Sequence, residues 1–492
     1  MHPDLPALQI VVPLLSAPVC VLLRRPRLAW AVAMAATWFA FGNSIVILRH
    51  VLATGPISYA LGGFPVPYGI ELSIDSLNAL VLVIVTGISA IVLIGSPRSL
   101  EREVPTERHY LVYTAYLLCM TGLLGMTITG DAFNIFVFLE ISSLSSYSLI
   151  SMGRTRRAVT SAFQYLVMGT IGGTFILLGI GLLYMVTGTL NLADMSQRLA
   201  MTGANRTVLV SLAFIVAGTS IKLAVFPLHI WLPNAYTFAP AIVTAFLAAT
   251  ATKVAFYILA RFVYGVYGVQ LAFGELRLDA VLLPLALLAM FVASTVAIFQ
   301  RDVKRMLAYS SVAQVGYMLL GMSLANVDGL TGGIVHLFNH ALIKSGLFLV
   351  MAVVLLSVGS TRLDDMRGLG RKLPLTMAAF VLGGLGLIGV PGTAGFVSKW
   401  YLILGALEDG LWPVAVLTLL SSLLAVVYVW RVIEVAYFQE RPADAPEPEP
   451  APASLLVPAW ALLGASVWFG VFTSYSAGVA REAAEMLLGG GR

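Results

Sequence analysis

Long apolar stretches alternate with short polar segments along the whole chain. Each stretch is long enough to cross a bilayer as an α-helix, because about 20 apolar residues span the hydrocarbon core. They cover residues 5–23, 28–54, 73–96, 110–129, 132–152, 159–187, 207–228, 240–266, 278–299, 303–323, 330–357, 374–407, 411–438 and 454–473. The pattern therefore predicts an all-α, polytopic membrane protein with about fourteen transmembrane helices.

Positive charges are concentrated in alternate connections between these stretches. One set of connections holds eighteen Lys and Arg residues, namely Arg24, Arg25, Arg27, Arg98, Arg102, Arg108, Arg154, Arg156, Arg157, Arg301, Lys304, Arg305, Arg362, Arg367, Arg371, Lys372, Arg431 and Arg441. The other set holds seven, namely Arg49, Arg198, Arg206, Arg261, Arg277, Arg481 and Arg492. Because cytoplasmic loops are enriched in Lys and Arg, we expect the first set in the cytoplasm and both termini outside.

The composition agrees with a protein that lies mostly within a membrane. Of the 492 residues, 59% are hydrophobic and 11% are charged, and the mean hydropathy is +0.92. These values exclude a soluble enzyme with a single anchor. The first residues, MHPDLP, carry no positive segment, so we expect the first stretch to stay as a helix and not to be cleaved as a signal peptide.

The same composition argues against cofactor, metal and nucleic-acid chemistry. Cys20 and Cys119 stand alone in apolar segments, without CxxC or Cys/His spacing. We therefore expect no disulfide framework, no iron–sulfur cluster and no thiolate metal site. The sequence also contains no phosphate-binding loop. The formal charge of +5 requires no nucleic-acid partner, because the bias between the two sets of loops accounts for it.

Two sets of five helices share one pattern, helices 4–8 and helices 9–13. The fourth helix of each set is interrupted, at Phe226-Pro227 in helix 7 and at GVPGTAGF, residues 389–396, in helix 12. Pro lacks an N–H and clashes with the preceding turn, so it breaks a helix. Because five is odd, the second set must enter the membrane in the opposite sense. Matched broken helices in inverted repeats typically mark an ion site near the membrane midplane.

We therefore divide the chain into five segments. Residues 1–109 hold helices 1–3, residues 110–267 the first repeat, residues 268–438 the second repeat, residues 439–453 a Pro- and Glu-rich cytoplasmic linker, and residues 454–492 helix 14 with the C-terminal tail. The linker composition is typical of an extended, mobile connection. The tail sequence AREAAEMLL is compatible with a short surface helix.

Glu140 is the only carboxylate deep within a predicted helix. It follows Asp131 by nine residues, which places it about 13 Å into the bilayer at a helical rise of about 1.5 Å per residue. An isolated ionised carboxylate is unfavourable there, so Glu140 should hold its proton or pair with a cation. Lys222 is the candidate partner, and the pair would act as a two-state proton switch. The alternatives are a fixed ion pair between two helices, and a Lys222 side chain that extends to the interface.

Helix 11 carries a second polar group in the segment GGIVHLFNHALIKSGLFLV. His336, His340 and Lys344 follow one another at intervals of four residues. Each step turns about 40° around the helix axis and rises about 6 Å, so the three share one face. Since unperturbed His titrates near neutral pH, this row can pass protons. The alternatives are a His-based metal site, which the neighbouring lysine would repel, and core histidines bonded to helix carbonyls.

Two further lysines extend these groups into a row across the protein. Lys253 lies in the middle of helix 8, and Lys399 follows the break in helix 12. Desolvation disfavours the charged form of a buried amine, which enables the amine to exchange protons. The predicted axis runs through Glu140, Lys222, Lys253, His340, His336, Lys344 and Lys399. Candidates for holding connecting waters are Ser310, Ser311, Gln314 and Tyr317 of helix 10. For Lys399, the alternative is a static pairing with a partner subunit.

These motifs resemble the antiporter-like subunits of respiratory complex I, energy-converting membrane hydrogenases and Mrp-type sodium/proton antiporters. The matching segments are DAFNIFVFLEI with Glu140, SIKLAVFPLHIWLPNAY with Lys222, AATATKVAFY with Lys253, QRDVKRMLAYSSVAQVGYML, HLFNHALIKSGLFLV with His336, His340 and Lys344, and GVPGTAGFVSKW with Lys399. The resemblance covers nearly the whole chain. It implies a fourteen-helix core, inverted repeats and a central proton-conducting axis. One departure is Asn234, where many relatives have Asp, so a role for that carboxylate is not carried over.

Within this family the chain looks most like the D-type component of Mrp antiporters. It lacks the long C-terminal lateral helix of the largest complex I paralogue, and Lys399 in place of Glu argues against the middle paralogue. The resemblance implies a non-enzymatic subunit that conducts protons within a hetero-oligomeric sodium/proton antiporter of a prokaryotic inner membrane. The alternative is a proton-pumping subunit of a redox-driven complex, either an NADH-quinone oxidoreductase or a membrane-bound hydrogenase.

Overall fold

The computed structural model describes residues 2–489, and the chain forms a bundle of membrane-length helices. The α-helices in this range are α1 (Leu5–Leu23), α2 (Pro26–Thr54), α3 (Ser76–Ile94), α4 (Ser96–Glu103), α5 (His109–Ile128), α6 (Ala132–Ser151), α7 (Arg156–Thr187), α8 (Leu192–Thr202), α9 (Arg206–Leu223), α10 (Trp231–Phe238), α11 (Ala241–Ala260), α12 (Asp279–Leu288), α13 (Ser294–Ile298), α14 (Val303–Leu324), α15 (Val327–Val358), α16 (Leu369–Lys372), α17 (Pro374–Ile388), α18 (Ala394–Glu408), α19 (Trp412–Ile433), α20 (Ala453–Val471) and α21 (Ser474–Leu488). Four π-helical segments extend or join them, at Arg261–Tyr267, Gln270–Glu275, Ala289–Ala293 and Glu434–Phe438.

The predicted number of spans is confirmed. Thirteen helices of the described range are long and apolar enough to cross a membrane. The remaining predicted span, helix 12, is divided into α17 and α18, which have 15 residues each. The sequence pattern did not predict the antiparallel hairpin of β1 (Ile57–Ala60) and β2 (Glu71–Ile74), in which Ile57 lies opposite Ile74.

Both predicted helix breaks are present. Helix 7 is divided into α9 and α10, and α9 ends at Leu223, before Pro227, with Ala224 in the left-handed region at φ 60°. In helix 12, Gly389 and Gly392 have φ angles of 84° and 89°. Glycine adopts such angles without the steric cost that other residues carry, which explains why this break is glycine-rich.

Side-chain caps determine where several helices begin. The Asp75 carboxylate accepts hydrogen bonds from the backbone N–H groups of Leu77 and Asn78 at 3.0 and 3.2 Å, and Asn78 Oδ1 accepts from the Asp75 N–H at 2.6 Å. The Asp302 side chain accepts one backbone N–H at the start of α14, and the Asn326 side chain accepts one at the start of α15. Each cap satisfies backbone donors that the first helical turn leaves free.

Three helices form the centre of the bundle. The most apolar windows of α11, α14 and α15 are 94%, 94% and 89% buried, whereas those of α1, α2, α7, α19 and α20 are less than 40% buried. A Cβ on Gly321 of α14 would lie 2.7 Å from the backbone nitrogen of Gly333 of α15. Small residues at such a crossing let two membrane helices approach closely. Polar residues on these three helices are therefore shielded from lipid.

Two regions near the C-terminus lie outside the membrane-length helices. Residues 440–452 form neither helix nor strand. They contact the helical bundle: Lys372 Nζ donates to Glu447 Oε1 at 2.9 Å, and the Glu449 N–H donates to the Ser357 carbonyl at 2.9 Å. Arg102 pairs with Glu449 as well. The tail helix α21 is longer than AREAAEMLL, and Arg492, one of the predicted outer charges, lies outside the described residues.

Candidate functional site

Glu140 lies in the middle of α6 and faces α7. Its side chain is half-buried, and Oε1 has no hydrogen-bond partner among the residues that the structure describes. The close neighbour is Gly173 of α7, where a Cβ would lie 2.4 Å from Glu140 Oε1. The absence of a side chain at Gly173 therefore makes the space that the carboxylate occupies.

Lys222 lies at the last turn of α9 and is 8% exposed. Its Nζ donates to Ser143 Oγ at 2.7 Å, and Ser143 lies one turn after Glu140 on α6. Within residues 2–489, no ion pair within 4.0 Å links Lys222 to Glu140. The structure thus brings the predicted partners to the same site but places a hydroxyl beside the amine, where the sequence predicted the carboxylate.

Aromatic side chains support the break that follows Lys222. Trp231, the first residue of α10, donates its indole N–H to the carbonyl of Ile221 at 2.9 Å. Its ring stacks on Tyr165 of α7, with 3.8 Å between centroids. The Ile221 carbonyl also accepts the Ala224 N–H at 3.2 Å, so the indole adds a second hydrogen bond at the end of α9 and fixes α10 against α7.

Lys253 is fully buried in α11. Its exposed fraction is 0%, and Nζ donates to the Ala248 carbonyl at 2.6 Å and to Thr252 Oγ1 at 3.3 Å. Both partners belong to the same helix as the lysine. An amine bonded only to neutral oxygens has no fixed counter-ion, which is an expensive arrangement inside a membrane.

The three polar residues of α15 share one face, as the sequence predicts. The rings of His336 and His340 are 6.2 Å apart and inclined by 13°. His336 Nδ1 lies 2.9 Å from Ser398 Oγ, whereas neither ring nitrogen of His340 has a partner within the described part of the chain. Lys344 Nζ donates to the Leu307 carbonyl of α14 at 2.7 Å and to Ser310. Ser310, named above as a candidate for holding connecting waters, thus contacts Lys344 directly.

Lys399 lies in the first turns of α18 and reaches back to the other half of its broken helix. Its Nζ donates to the carbonyls of Leu387 and Ile388, the last residues of α17, at 3.2 and 2.8 Å. It also donates to Ser422 Oγ of α19 at 2.9 Å. A cation at the carbonyl end of a helix is favourable, because the helix dipole is negative there.

Tyr317 connects Lys399 to the histidines. Lys399 Nζ lies 4.7 Å from the centre of the Tyr317 ring, and that ring lies 5.2 Å from the ring of His336. The Tyr317 hydroxyl is 2.7 Å from Ser421 Oγ and 3.3 Å from Ser422 Oγ. Lys399, Tyr317, His336 and His340 therefore form a continuous group that joins α18, α14 and α15.

Each of the four buried lysines of the row has a hydroxyl partner, and none of these pairings was predicted; Ser310 alone was named, as a candidate for holding connecting waters. The four are Ser143, Thr252, Ser310 and Ser422. Ser143 could have been found from its position three residues after Glu140, on the same helix face, and Thr252 directly precedes its lysine. Ser422 has no local signal, because its lysine lies on another helix.

The part of the chain that the structure describes contains no cluster of three or more His, Cys, Asp or Glu side chains arranged to hold a metal ion. The two histidines at an interval of four residues have serine, tyrosine and lysine neighbours. Hydroxyl, imidazole and amine groups follow one another through this region. Such groups can donate and accept protons.

Comparisons with known proteins place the chain in a family. The family described as NADH:quinone oxidoreductase/Mrp antiporter, transmembrane, matches residues 129–425. The chain is 44% identical to the N-type subunit of the NADH-quinone oxidoreductase of Desulforudis audaxviator (strain MP104C), over 96% of each chain. It is 30% identical to the D-type component of the Na⁺/H⁺ antiporter of Bacillus subtilis (strain 168), over 98% of this chain and 96% of that protein.

A solved structure agrees with these relatives. A chain of the Mrp complex from Dietzia sp. DQ12-45-1b superposes with a TM-score of 0.90 at 25% identity, over 99% of this chain and 98% of the other. The resemblance inferred from the sequence motifs is thereby confirmed, for both the fold and the family. The chain belongs to the NADH:quinone oxidoreductase/Mrp antiporter transmembrane family.

Proposed function

We propose that this chain conducts protons across the membrane as one subunit of a hetero-oligomeric monovalent cation/proton antiporter. The proton path comprises Glu140, Lys222, Lys253, Lys344, His340, His336 and Lys399, and Tyr317 joins His336 to Lys399. Sodium is the proposed cation, since the relative from Bacillus subtilis belongs to a Na⁺/H⁺ antiporter. Other membrane subunits complete the transporter, and this chain performs no enzymatic step.

The observation that carries this proposal is the state of the four lysines in the row. Each is at most 8% exposed within a membrane-spanning helix. In residues 2–489, the only lysine in an ion pair is Lys372, at the surface. A buried amine without a counter-ion is unfavourable when charged, and this arrangement suits a group that binds and releases a proton.

The Ser143 hydroxyl supports a switch between Glu140 and Lys222. A charged Lys222 donates to Ser143, and a neutral Lys222 can accept from the same hydroxyl. Ser143 lies one turn from Glu140 on α6, so Lys222, which bonds to Ser143, is near the Glu140 carboxylate. Loss of the proton from Lys222 therefore changes the electrostatic potential at that carboxylate. In this scheme Glu140 binds a proton when Lys222 is neutral and releases it when Lys222 is charged.

The orientation in the membrane is part of the proposal. The bias of Lys and Arg between the two sets of loops favours an arrangement in the prokaryotic inner membrane with both termini outside. The two sets of five helices are proposed to be inverted repeats, with the breaks after Lys222 and before Lys399 as matching positions. Under this arrangement, residues 439–453 and the connection around α4 are both cytoplasmic.

Replacement of Glu140 by Gln tests the proposed function. Gln has nearly the same shape but cannot ionise, so Glu140→Gln should abolish sodium-dependent proton movement in everted vesicles while the complex still assembles. Glu434→Gln is the matched control, because Glu434 is an exposed carboxylate at the end of α19. Near-normal proton movement in Glu140→Gln would rule out the proposed role.

A second candidate is a proton-pumping subunit of a redox-driven complex. The relative from Desulforudis audaxviator favours it, since that protein is an NADH-quinone oxidoreductase subunit. The same proton path would then be driven by electron transfer in other subunits. The two candidates differ in the driving force: the proton-motive force drives sodium/proton exchange in the first, and a redox reaction in other subunits drives proton pumping in the second. Identification of the subunits that copurify with the chain distinguishes the two candidates independently of any transport assay.

A further inference from the structure

A carboxylate and an amine outside the proposed path meet at the junction between α10 and α11. Glu103, the last residue of α4, accepts the Ala241 N–H with both carboxylate oxygens, at 2.9 Å each. Lys304 of α14 is 3% exposed, and its Nζ donates to the Ala239 carbonyl at 2.6 Å. The two charges therefore hold the same three-residue junction, Ala239–Pro240–Ala241, from two different parts of the chain.

Each charge is placed at the helix end that favours it. Ala241 is the first residue of α11, so the Glu103 carboxylate lies at the positive end of that helix dipole. Ala239 follows the last residue of α10, so the Lys304 ammonium lies at the negative end of the other. Exchanging the two charges would oppose both dipoles. The arrangement is thus specific in sign as well as in position.

The junction lies between the two lysines of the first repeat, Lys222 and Lys253. On one side, α10 follows the break after Lys222, and Trp231 of α10 bonds to the carbonyl of Ile221. On the other side, α11 carries Lys253. A displacement of the junction therefore changes the position of Lys253 relative to Lys222.

The helix that carries Lys304 also contacts the second half of the proposed path. Lys344 of α15 donates to the carbonyl of Leu307, which lies one turn after Lys304 on α14. Tyr309, in the same turn, packs edge-on against His229 in the break before α10, with 6.4 Å between ring centroids. Residues 304–310 of α14 thus contact Lys344 on one side and both ends of α10 on the other.

We propose that Glu103 and Lys304 are positioning residues that fix the α10–α11 junction, and that residues 304–310 of α14 couple Lys344 to the half of the broken helix that follows Lys222. This inference rests on the proposed proton path. When Lys344 changes its bonds to α14, the change is passed to Ala239 through Lys304. The coupling joins the two repeats without any residue of the path touching the junction.

We call the contacts of Glu103 and Lys304 with the α10–α11 junction the clamp. Hydrogen exchange of the assembled complex tests the clamp independently of any transport measurement. Glu103→Gln and Lys304→Gln should each speed amide exchange at residues 239–246, because the bonds to Ala241 N–H and to Ala239 hold this junction closed. The matched controls are Glu101→Gln, an exposed position of α4, and Arg301→Gln, an exposed position in the connection before α14. Exchange at the junction equal to that of the controls would refute the clamp.

Transport by the same variants tests the positioning role. Per assembled complex, Glu103→Gln and Lys304→Gln should lose about tenfold or more in rate, whereas Lys304→Arg, which keeps the charge, should retain most of it. The double exchange Glu103→Lys/Lys304→Glu should not recover the rate, because both charges then oppose the helix dipoles. A full recovery, or wild-type rates in variants whose junction exchanges faster, would overturn the proposal. Transport that is independent of Glu140 would instead refute the proposed function, while faster exchange would still support the clamp.

Discussion

Replacing Gly173 by Ala should reduce proton movement by displacing Glu140, without lowering the stability of the helical bundle. Gly173 and Gly181 both lie on α7. A Cβ at position 173 would lie 2.4 Å from Glu140 Oε1, whereas a Cβ at position 181 has no neighbour within 4 Å. Gly173→Ala therefore acts on the carboxylate, and Gly181→Ala is the same chemical change without that contact.

The expected magnitude follows from this distance. An ordinary contact for the new methyl group begins at 3.4 Å, so the carboxylate oxygen must move by about 1 Å. The folding cost is small, because the atom that moves is the end of a flexible side chain and Ala is favoured over Gly in a helix by about 1 kcal/mol. A displacement of about 1 Å of a reacting group can reduce a rate by about 100-fold. We therefore expect a loss of proton movement of about 10- to 100-fold in Gly173→Ala.

The assay is sodium-dependent proton movement in everted vesicles, normalised to the amount of assembled complex. Thermal stability of both purified variants should equal or exceed that of the wild type. If Gly173→Ala and Gly181→Ala transport at the same rate, the position of the Glu140 carboxylate does not matter for transport.

Two further variants test the lysines at the two breaks. Lys222→Ala should lose transport, and Lys222→Arg should lose nearly as much, because an arginine does not release its proton; normal rates for Lys222→Arg in the same vesicles would make Lys222 an electrostatic anchor only. Lys399→Ala should lose transport, whereas Lys399→Glu should keep part of it with a shifted pH optimum, because a titratable group is retained between α17 and Ser422. Equal, wild-type rates for both Lys399 variants would show that no proton passes this position.

The spans and breaks could be predicted because they depend on local chemistry. Runs of apolar residues give the helices, and Pro227 and the glycines at 389 and 392 interrupt them without reference to the rest of the fold. The shared face of His336, His340 and Lys344 likewise follows from helical periodicity alone. Each of these features can be predicted from a short stretch of the sequence alone.

The partners of the lysines could not be predicted in the same way. Lys399 bonds to Ser422 of α19, and Lys304 bonds to Ala239, which is 65 residues distant along the chain. The sequence predicted a pairing of Lys222 with Glu140, but the group beside the amine is the hydroxyl of Ser143, one turn from Glu140 on α6. Which oxygen a flexible lysine reaches is decided by helix packing, and the sequence pattern does not encode that packing directly.

The segment that follows α19 has a consequence for how the chain is synthesised. Arg102 follows the third span, and its partner Glu449 precedes the last span, 347 positions later. At a synthesis rate of about 5–20 residues per second, roughly 20 to 70 s pass before Glu449 leaves the ribosome. During that time the Arg102 guanidinium stays at the membrane surface without Glu449, while the intervening helices insert. A ribosome that stalls before residue 449 would therefore leave the contact between the connection after the third span and the connection before the last span unformed.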